Sequence, residues 1–232
     1  KTICALIIKE TCYCLKHSKI FMIKYNRKED YVMNSDQDKL ILTDCDGVLM
    51  NWEYAFGVWM KKMGYAVQVH GTEGSTYDMS LRYGITSKEK SQLIKHFNTS
   101  SAIGYLPPLR DAMYYMDLLH RKHGYIFHMI TSLSLDPMAQ ELRESNTRKL
   151  FGDTAFEKFI YADVGGDKDE VLAPYTGSGL YWLEDKIENA QLGLDLGLES
   201  ILIEHGHNMD SEICPKMKNW AQLYEYITGE VA

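Results

Sequence analysis

The segment Thr43-Asp44-Cys45-Asp46-Gly47-Val48-Leu49 closes an apolar run and sets two carboxylates two residues apart. Residues two apart point the same way in extended backbone, and Gly47 permits a sharp exit that lets main chain approach a ligand. Like charges at this spacing are costly unless a cation lies between them or one carboxyl keeps its proton. Both remedies suit catalysis. Asp44 has the character of a metal-bound nucleophile toward phosphorus; Asp46 could protonate the leaving oxygen and later take a proton from water. A plain Asp-Gly turn with solvated acids is the competing reading of these residues taken alone.

A second acidic group, Glu184-Asp185-Lys186-Ile187-Glu188-Asn189, also follows an apolar run. Asp185 can share a hard cation with Asp44, since Mg²⁺ takes a few carboxylates, water and phosphate oxygens. Glu184 is expected as a supporting metal ligand, direct or through water. Asn189, four residues after Asp185, is expected to orient it from the same helical face. An ordinary acidic helix start, favourable to the helix dipole, is the plain alternative. Thr131-Ser132 ends another apolar run, where a hydroxyl and the following N–H groups can hold a phosphate oxygen. Lys168 opens a further helix and could set its ammonium between Asp44 and a phosphoryl group. Singly, each of these is more often a cap or a solvated side chain. Their order along the chain (carboxylates, hydroxyl, lysine, carboxylates), each at the end of an expected strand, is what joins them into one site.

The elements that must position them alternate. Strands are expected at Leu40–Thr43, Tyr125–Thr131, Phe159–Ala162, Leu180–Leu183 and Ser200–Ile203, each with a helix after it. The helices are read at Trp52–Met63, Leu109–His123, Pro137–Leu150, Lys168–Leu172, Ile187–Leu196 and Lys216–Ile227. This is the signature of an α/β fold, a doubly wound parallel sheet with helices on both faces. Residues 51–107 break the alternation with Trp52, Phe56, Trp59, Tyr65, Tyr77, Tyr83 and a helical stretch near Ser87–Phe97. They read as a small α-helical cap inserted after the first strand, where it overhangs the carboxyl ends that bind ligands in open α/β sheets. The core is then 36–50 and 108–232. Residues 1–30 carry a net charge of +4 against −11 for the remainder. Residues 1–35 are expected to be an N-terminal extension, with Met33 as the natural start; a genuine basic arm is the alternative.

Composition narrows the function classes. The net charge of −7 argues against a surface devoted to nucleic acid, leaving at most a polynucleotide end as a nucleic-acid partner. A small phosphorylated substrate remains open. No stretch reaches the ~18–20 apolar residues of a membrane span. The five cysteines, Cys4, Cys12, Cys14, Cys45 and Cys214, lack the paired spacing of a disulfide scaffold or zinc site, so a reducing, cytoplasmic setting is expected. Cys45 should point away from its two acidic neighbours, and no thiol mechanism is expected. His205-Gly206-His207 reads as a polar loop.

The ordered set resembles the haloacid dehalogenase superfamily, most of whose members are Mg²⁺-dependent phosphohydrolases. The resemblance covers about Lys39–His205: Asp44-Cys45-Asp46-Gly47-Val48 matches motif one, Thr131 with Ser132 motif two, Lys168 motif three, and Glu184-Asp185 with Asn189 motif four. It implies a nucleophilic Asp44, a general acid/base Asp46, phosphate contacts from Thr131 and Lys168, and metal held by Asp44, the Asp46 carbonyl and Asp185. The insertion is similar to a C1-type cap. Within the superfamily, Asp44–Leu49 followed by Trp52-Glu53, together with Pro107-Pro108-Leu109-Arg110-Asp111-Ala112 and Ile130-Thr131-Ser132, is similar to the 5′(3′)-deoxyribonucleotidases. Trp52 and Glu53 are accordingly placed among the substrate contacts, with Trp52, Phe56 or Trp59 able to stack on a nucleobase. The expected activity is a Mg²⁺-dependent phosphomonoesterase working through an aspartyl-phosphate, with (deoxy)nucleoside monophosphates as one substrate class. A phosphomutase or phosphotransferase, or a phosphate-binding module without turnover, are the alternatives. The oligomeric state is not legible in the sequence.

Overall fold

A computed structural model of the chain describes residues 39–68, 78–163 and 166–231. The expectations about residues 1–35, the cysteines at 4, 12 and 14, and Tyr77 fall outside them. From Lys39 onward the chain is one compact unit.

Six strands, β1 (Leu40–Thr43), β2 (Ile126–Ser132), β3 (Phe156–Ala162), β4 (Tyr181–Glu184), β5 (Glu199–Ile203) and β6 (Lys216–Met217), form one sheet in the order β3-β2-β1-β4-β5-β6. Every pairing is parallel. Alternation along β1 shows why both faces must be covered: Ile41 packs into the larger apolar cluster and Leu42 into the smaller one. The larger cluster gathers residues of α1 (Trp52–Lys62), α4 (Ala112–His123), α5 (Pro137–Phe151) and α8 (Trp220–Thr228). The smaller holds Trp182 and Leu172, the latter from the short α6 (Asp169–Leu172), with Leu192 of α7 (Ile187–Asp195) packed against it. The direction of winding reverses beside β1, where β2 lies on one side and β4 on the other. At such a reversal the loops leaving the two strands part and open a crevice.

Between β1 and α4 the described chain forms α1, α2 (Met79–Tyr83), α3 (Ser87–Asn98) and a 3₁₀ turn at Ser101–Tyr105. Phe56, Met60, Tyr83 and Phe97 bury themselves there, with Phe56 edge-on to Tyr83 and Phe97 at ring separations of 6.2 and 5.3 Å.

Several boundaries differ from the sequence expectation. The helix expected from Lys216 begins at Trp220, because Lys216 and Met217 pair with Leu202 and Ile203 as the edge strand β6. The rule of one helix after each strand therefore fails at β5. The strand expected from Phe159 already starts at Phe156, and the helix expected from Leu109 starts at Ala112. Arg110, at φ +45, breaks the backbone just before that helix. The Asp111 carboxylate makes no bond to its own helix; it accepts the N–H groups of Trp220 and Ala221, both at 3.1 Å, and so caps α8 instead.

Candidate active site

The four expected clusters meet at the carboxyl rim of the sheet. Asp44 follows β1, with its N–H bonded to the Leu183 carbonyl of β4 at 2.8 Å. Lys168, just before α6, is almost wholly buried, and its Nζ lies 3.0 Å from Asp44 Oδ1 and 2.8 Å from Glu184 Oε1. The ammonium also stands 4.9 Å from the centre of the Trp182 ring, which closes it off from below. Asp185 faces the turn after Asp46 so closely that a Cβ on Gly47 would sit 2.4 Å from its Oδ2. Gly47 takes φ +79, so glycine is required here for both space and backbone.

The electrostatics of this group are out of balance. Burial pushes the Asp44 carboxyl up to about 7; Lys168 pulls it down, and Glu184 and Asp46 push it up again. Asp185 is raised well above the carboxylate range by burial, then by Glu184 and Asp44. Burial opposes the charge on Glu184, yet Lys168 with its other donors holds it below its usual value. One ammonium thus faces three carboxyl groups, and two of them are left under-compensated.

Those three each offer an oxygen within 4.8 Å of the others. Asp44 Oδ1 is buried, with the Lys168 ammonium 3.0 Å away and no hydrogen bond from any other described group. Three buried carboxyls crowded around one ammonium, two of them raised by burial and by each other, are what a hard divalent cation would relieve, so the donor set fits such an ion. Glu184, one of the three, is also held by four donors. Its Oε1 accepts from Lys168 and from Asn189 Nδ2 at 2.5 Å, and its Oε2 accepts the N–H groups of Asp185 and Lys186 at 2.6 and 2.9 Å. Four donors occupy its lone pairs, and it lies fully buried behind Lys168. Asn189 correspondingly orients Glu184 rather than Asp185. Of the three, Glu184 is the most fully hydrogen-bonded, and Asp44 and Asp185 are the more open to an ion.

Asp44, Asp46, Thr131, Ser132, Lys168 and Asp185 all line one cavity of about 1330 Å³, whose opposite wall carries Trp52, Glu53, Tyr65, Arg82 and Tyr83. Thr131 is 1% exposed, and Ser132 Oγ donates to the Gly166 carbonyl at 3.2 Å. Glu53 is paired with Arg82. Trp52 stacks on Phe56 at 4.7 Å and donates its indole N–H to Asn98 Oδ1 at 2.9 Å. Of the three aromatics considered for stacking, Trp52 alone lines the cavity; Phe56 and Trp59 pack among themselves and Phe97.

Two features escaped the sequence reading. Arg143 of α5 is wholly buried and forks onto Asp46, with Nη1 to Oδ1 at 2.5 Å and Nη2 to Oδ2 at 3.3 Å. It also donates to Cys45 Sγ at 2.9 Å, and burial pushes that inward-turned thiol up to about 12. The sequence did hold a signal: Ala139, Arg143 and Thr147, at spacing four, form one buried stripe of α5 in which an arginine is out of place unless paired. The second feature is the His205 and His207 loop. Both imidazoles line the cavity, with His205 Nε2 2.7 Å from the Gly47 carbonyl and His207 Nε2 3.0 Å from that of Asp185.

No family model and no curated protein matches the sequence. Solved structures do match in fold. A haloacid dehalogenase-like family hydrolase from Streptococcus pneumoniae superposes with a TM-score of 0.57 over 82% of this chain and 98% of its own, at 12% identity. A dehalogenase in an intermediate complex gives 0.53 over 82% and 97%, at 11% identity. A HAD family hydrolase from Deinococcus radiodurans, with bound phosphate and sodium, gives 0.50 over 84% and 96%, at 15% identity. The chain therefore has the α/β fold of these hydrolases.

Proposed function

We propose that the protein is a Mg²⁺-dependent phosphomonoesterase that works through an aspartyl-phosphate on Asp44. The observation that carries this reading is the buried group of Asp44, Glu184 and Asp185, whose oxygens lie within 4.8 Å of one another around Lys168 at the reversal point of the sheet. The phosphate held by the Deinococcus radiodurans neighbour supports it from the side of the fold.

Asp44 attacks phosphorus in line, and the P–O bond to the substrate alcohol breaks as the aspartyl ester forms. Lys168 neutralises charge on the phosphoryl oxygens, and Thr131 and Ser132 bind them. Asp46 gives the departing alkoxide its proton, then removes one from the water that cleaves the acyl-phosphate. Arg143 keeps the Asp46 carboxylate aimed during both transfers. When bound by Asp44, the Asp46 carbonyl and Asp185, Mg²⁺ would supply Lewis-acid stabilisation of the phosphoryl charge. Asp46 is also what favours a phosphate ester over a haloalkanoate: a departing halide needs no proton, whereas an alkoxide does.

The helices between β1 and α4 serve as a cap over the cavity, excluding bulk water and setting specificity. Trp52 lines the cavity, and stacking of a nucleobase on its ring would make (deoxy)nucleoside monophosphates the first substrate class to try. The test is a Mg²⁺-supplemented screen of deoxynucleoside monophosphates, sugar phosphates and an aryl phosphate, with Asp44→Asn as control. Release of inorganic phosphate by the wild type and not by the variant is expected. Equal release by both would refute the nucleophile, and transfer to an added alcohol in place of release would identify a phosphotransferase.

A further inference from the structure

The loop after β5 reaches back to both acidic loops. Asn208 is fully buried and organises it: Oδ1 accepts the N–H of His205 at 2.8 Å, while Nδ2 donates to the Ile203 carbonyl at 2.8 Å and to the Asp185 carbonyl at 2.7 Å. Lys216 Nζ holds the next turn through the carbonyls of Asn208 at 3.4 Å and Ser211 at 3.2 Å. On this base the rings of His205 and His207 lie parallel within 10° at 5.5 Å, one reaching each acidic loop. A carbonyl oxygen only accepts, so Nε2 carries the proton in both rings. The Gly47 carbonyl then takes one donor from His205, and the Asp185 carbonyl takes two, from His207 and Asn208.

We propose that His205 and His207 are positioning residues whose Nε2–H groups tie the Gly47 and Asp185 carbonyls to one loop, fixing the separation at which Asp44 and Asp185 share a divalent ion. The inference rests on the metal-dependent reading above. The hydrogen bonds of both imidazoles go to main-chain carbonyls, with His207 Nε2 also 3.5 Å from Asp185 Oδ2. What they set is the distance between two loops whose side chains already press together at Gly47 and Asp185. Gly47 lies four residues past the end of β1, in a turn closed by its own N–H to the Met50 carbonyl at 2.9 Å, and Asp185 lies one residue past β4, so both carbonyls stand beyond the sheet's own ladder. Cross-bonds from a third element supply the rigidity that an ion site needs when its ligands sit on loops.

The experiment is calorimetric titration of Mg²⁺ into the metal-free full chain for wild type, His205→Ala, His207→Ala and the corresponding Gln and Asn variants. Circular dichroism in chelator confirms that each is folded. Gln can place an N–H where Nε2 stood, whereas Asn is too short. Both Ala and Asn variants should bind Mg²⁺ about 10–100-fold more weakly, as for other residues that orient metal ligands. Gln should recover most of the loss. If the Ala variants do not fold, the Gln and Asn pair carries the comparison. Folded Ala or Asn variants with Mg²⁺ affinity within about twofold of wild type would overturn the proposal. Wild type that binds no Mg²⁺ would overturn both readings. Wild type that binds Mg²⁺ but hydrolyses no ester would overturn only the phosphatase, and His variants whose hydrolysis depends on Mg²⁺ concentration as in the wild type would overturn only the present inference.

Discussion

Arg143, wholly buried in α5, grips both oxygens of Asp46, 97 residues earlier in the chain. A buried guanidinium without a partner is among the costlier defects a fold can carry. The pair therefore locks the helix after β2 to the loop after β1, and the carboxylate proposed to move protons has a fixed direction.

Replacing Arg143 by Lys keeps the charge and loses the fork. We expect turnover to fall roughly 10–100-fold, with substrate KM much less affected, because alignment of the proton donor matters chiefly in the transition state. Arg143→Ala should instead cost about 3–5 kcal/mol of stability, the usual result of removing one partner of a buried pair. Steady-state kinetics and urea unfolding read the two effects separately.

The raised Asp44 and Asp185 carboxyls predict a pH dependence for the metal-free protein. For a carboxyl whose folded pKa lies above its unfolded value, the folded state binds the proton more tightly, so stability is greatest at low pH. It is lost as pH climbs from about 3.8 through about 7 for Asp44. Burial lowers His128 and His205, which adds stability as pH rises toward 6.5, so the contribution of Asp44 is read as a difference: in chelator, the Tm of the wild type should fall relative to that of Asp44→Asn between pH 5 and pH 7.5. Adding Mg²⁺ at pH 7.5 should raise Tm in the wild type far more than in the variant. A wild-type Tm in chelator that rises relative to that of Asp44→Asn over this range would contradict the electrostatic picture.

Gly47→Ala should be damaging out of proportion to its size. The new Cβ meets Asp185 Oδ2 at 2.4 Å, on a backbone at φ +79. The left-handed conformation alone costs about 1–2 kcal/mol, and moving Asp185 aside displaces a proposed metal ligand. Thermal unfolding in chelator should show the strain, and Mg²⁺ titration should show the displaced carboxylate.

Asp111→Ala provides a contrast away from the chemistry. It strips two capping bonds from the start of α8 and should cost about 1 kcal/mol, typical of a lost helix cap. Activity per folded molecule should stay at the wild-type level. A matching loss of turnover would mean that α8 bears on the site more than its cap suggests.

The polar clusters were legible in the sequence because each follows a strand, and a strand end fixes where its next residues lie. Asp44, Thr131, Lys168 and Asp185 come together for that reason. What could not be read were contacts made across the fold by side chains on other elements. Arg143 reaches Asp46 from a helix face, His205 reaches Gly47 across 158 residues, and Asn189 turns to Glu184 rather than its expected partner. Spacing along one element says which face a residue shares, but not which neighbour it meets there. The same limit explains β6: a two-residue edge strand has no periodicity of its own and exists only because β5 offers it a ladder.

The buried indole of Trp220 donates its N–H to the Val48 carbonyl at 2.9 Å, joining the start of α8 to the loop that carries Asp44 and Asp46. During synthesis this tie cannot form until residue 220 has emerged, long after β1 and its acidic loop have left the ribosome. Assembly of the rim therefore belongs to the late, long-range stage of folding, and a nascent chain stalled before α8 would display the two aspartates on a loop that lacks its final anchor.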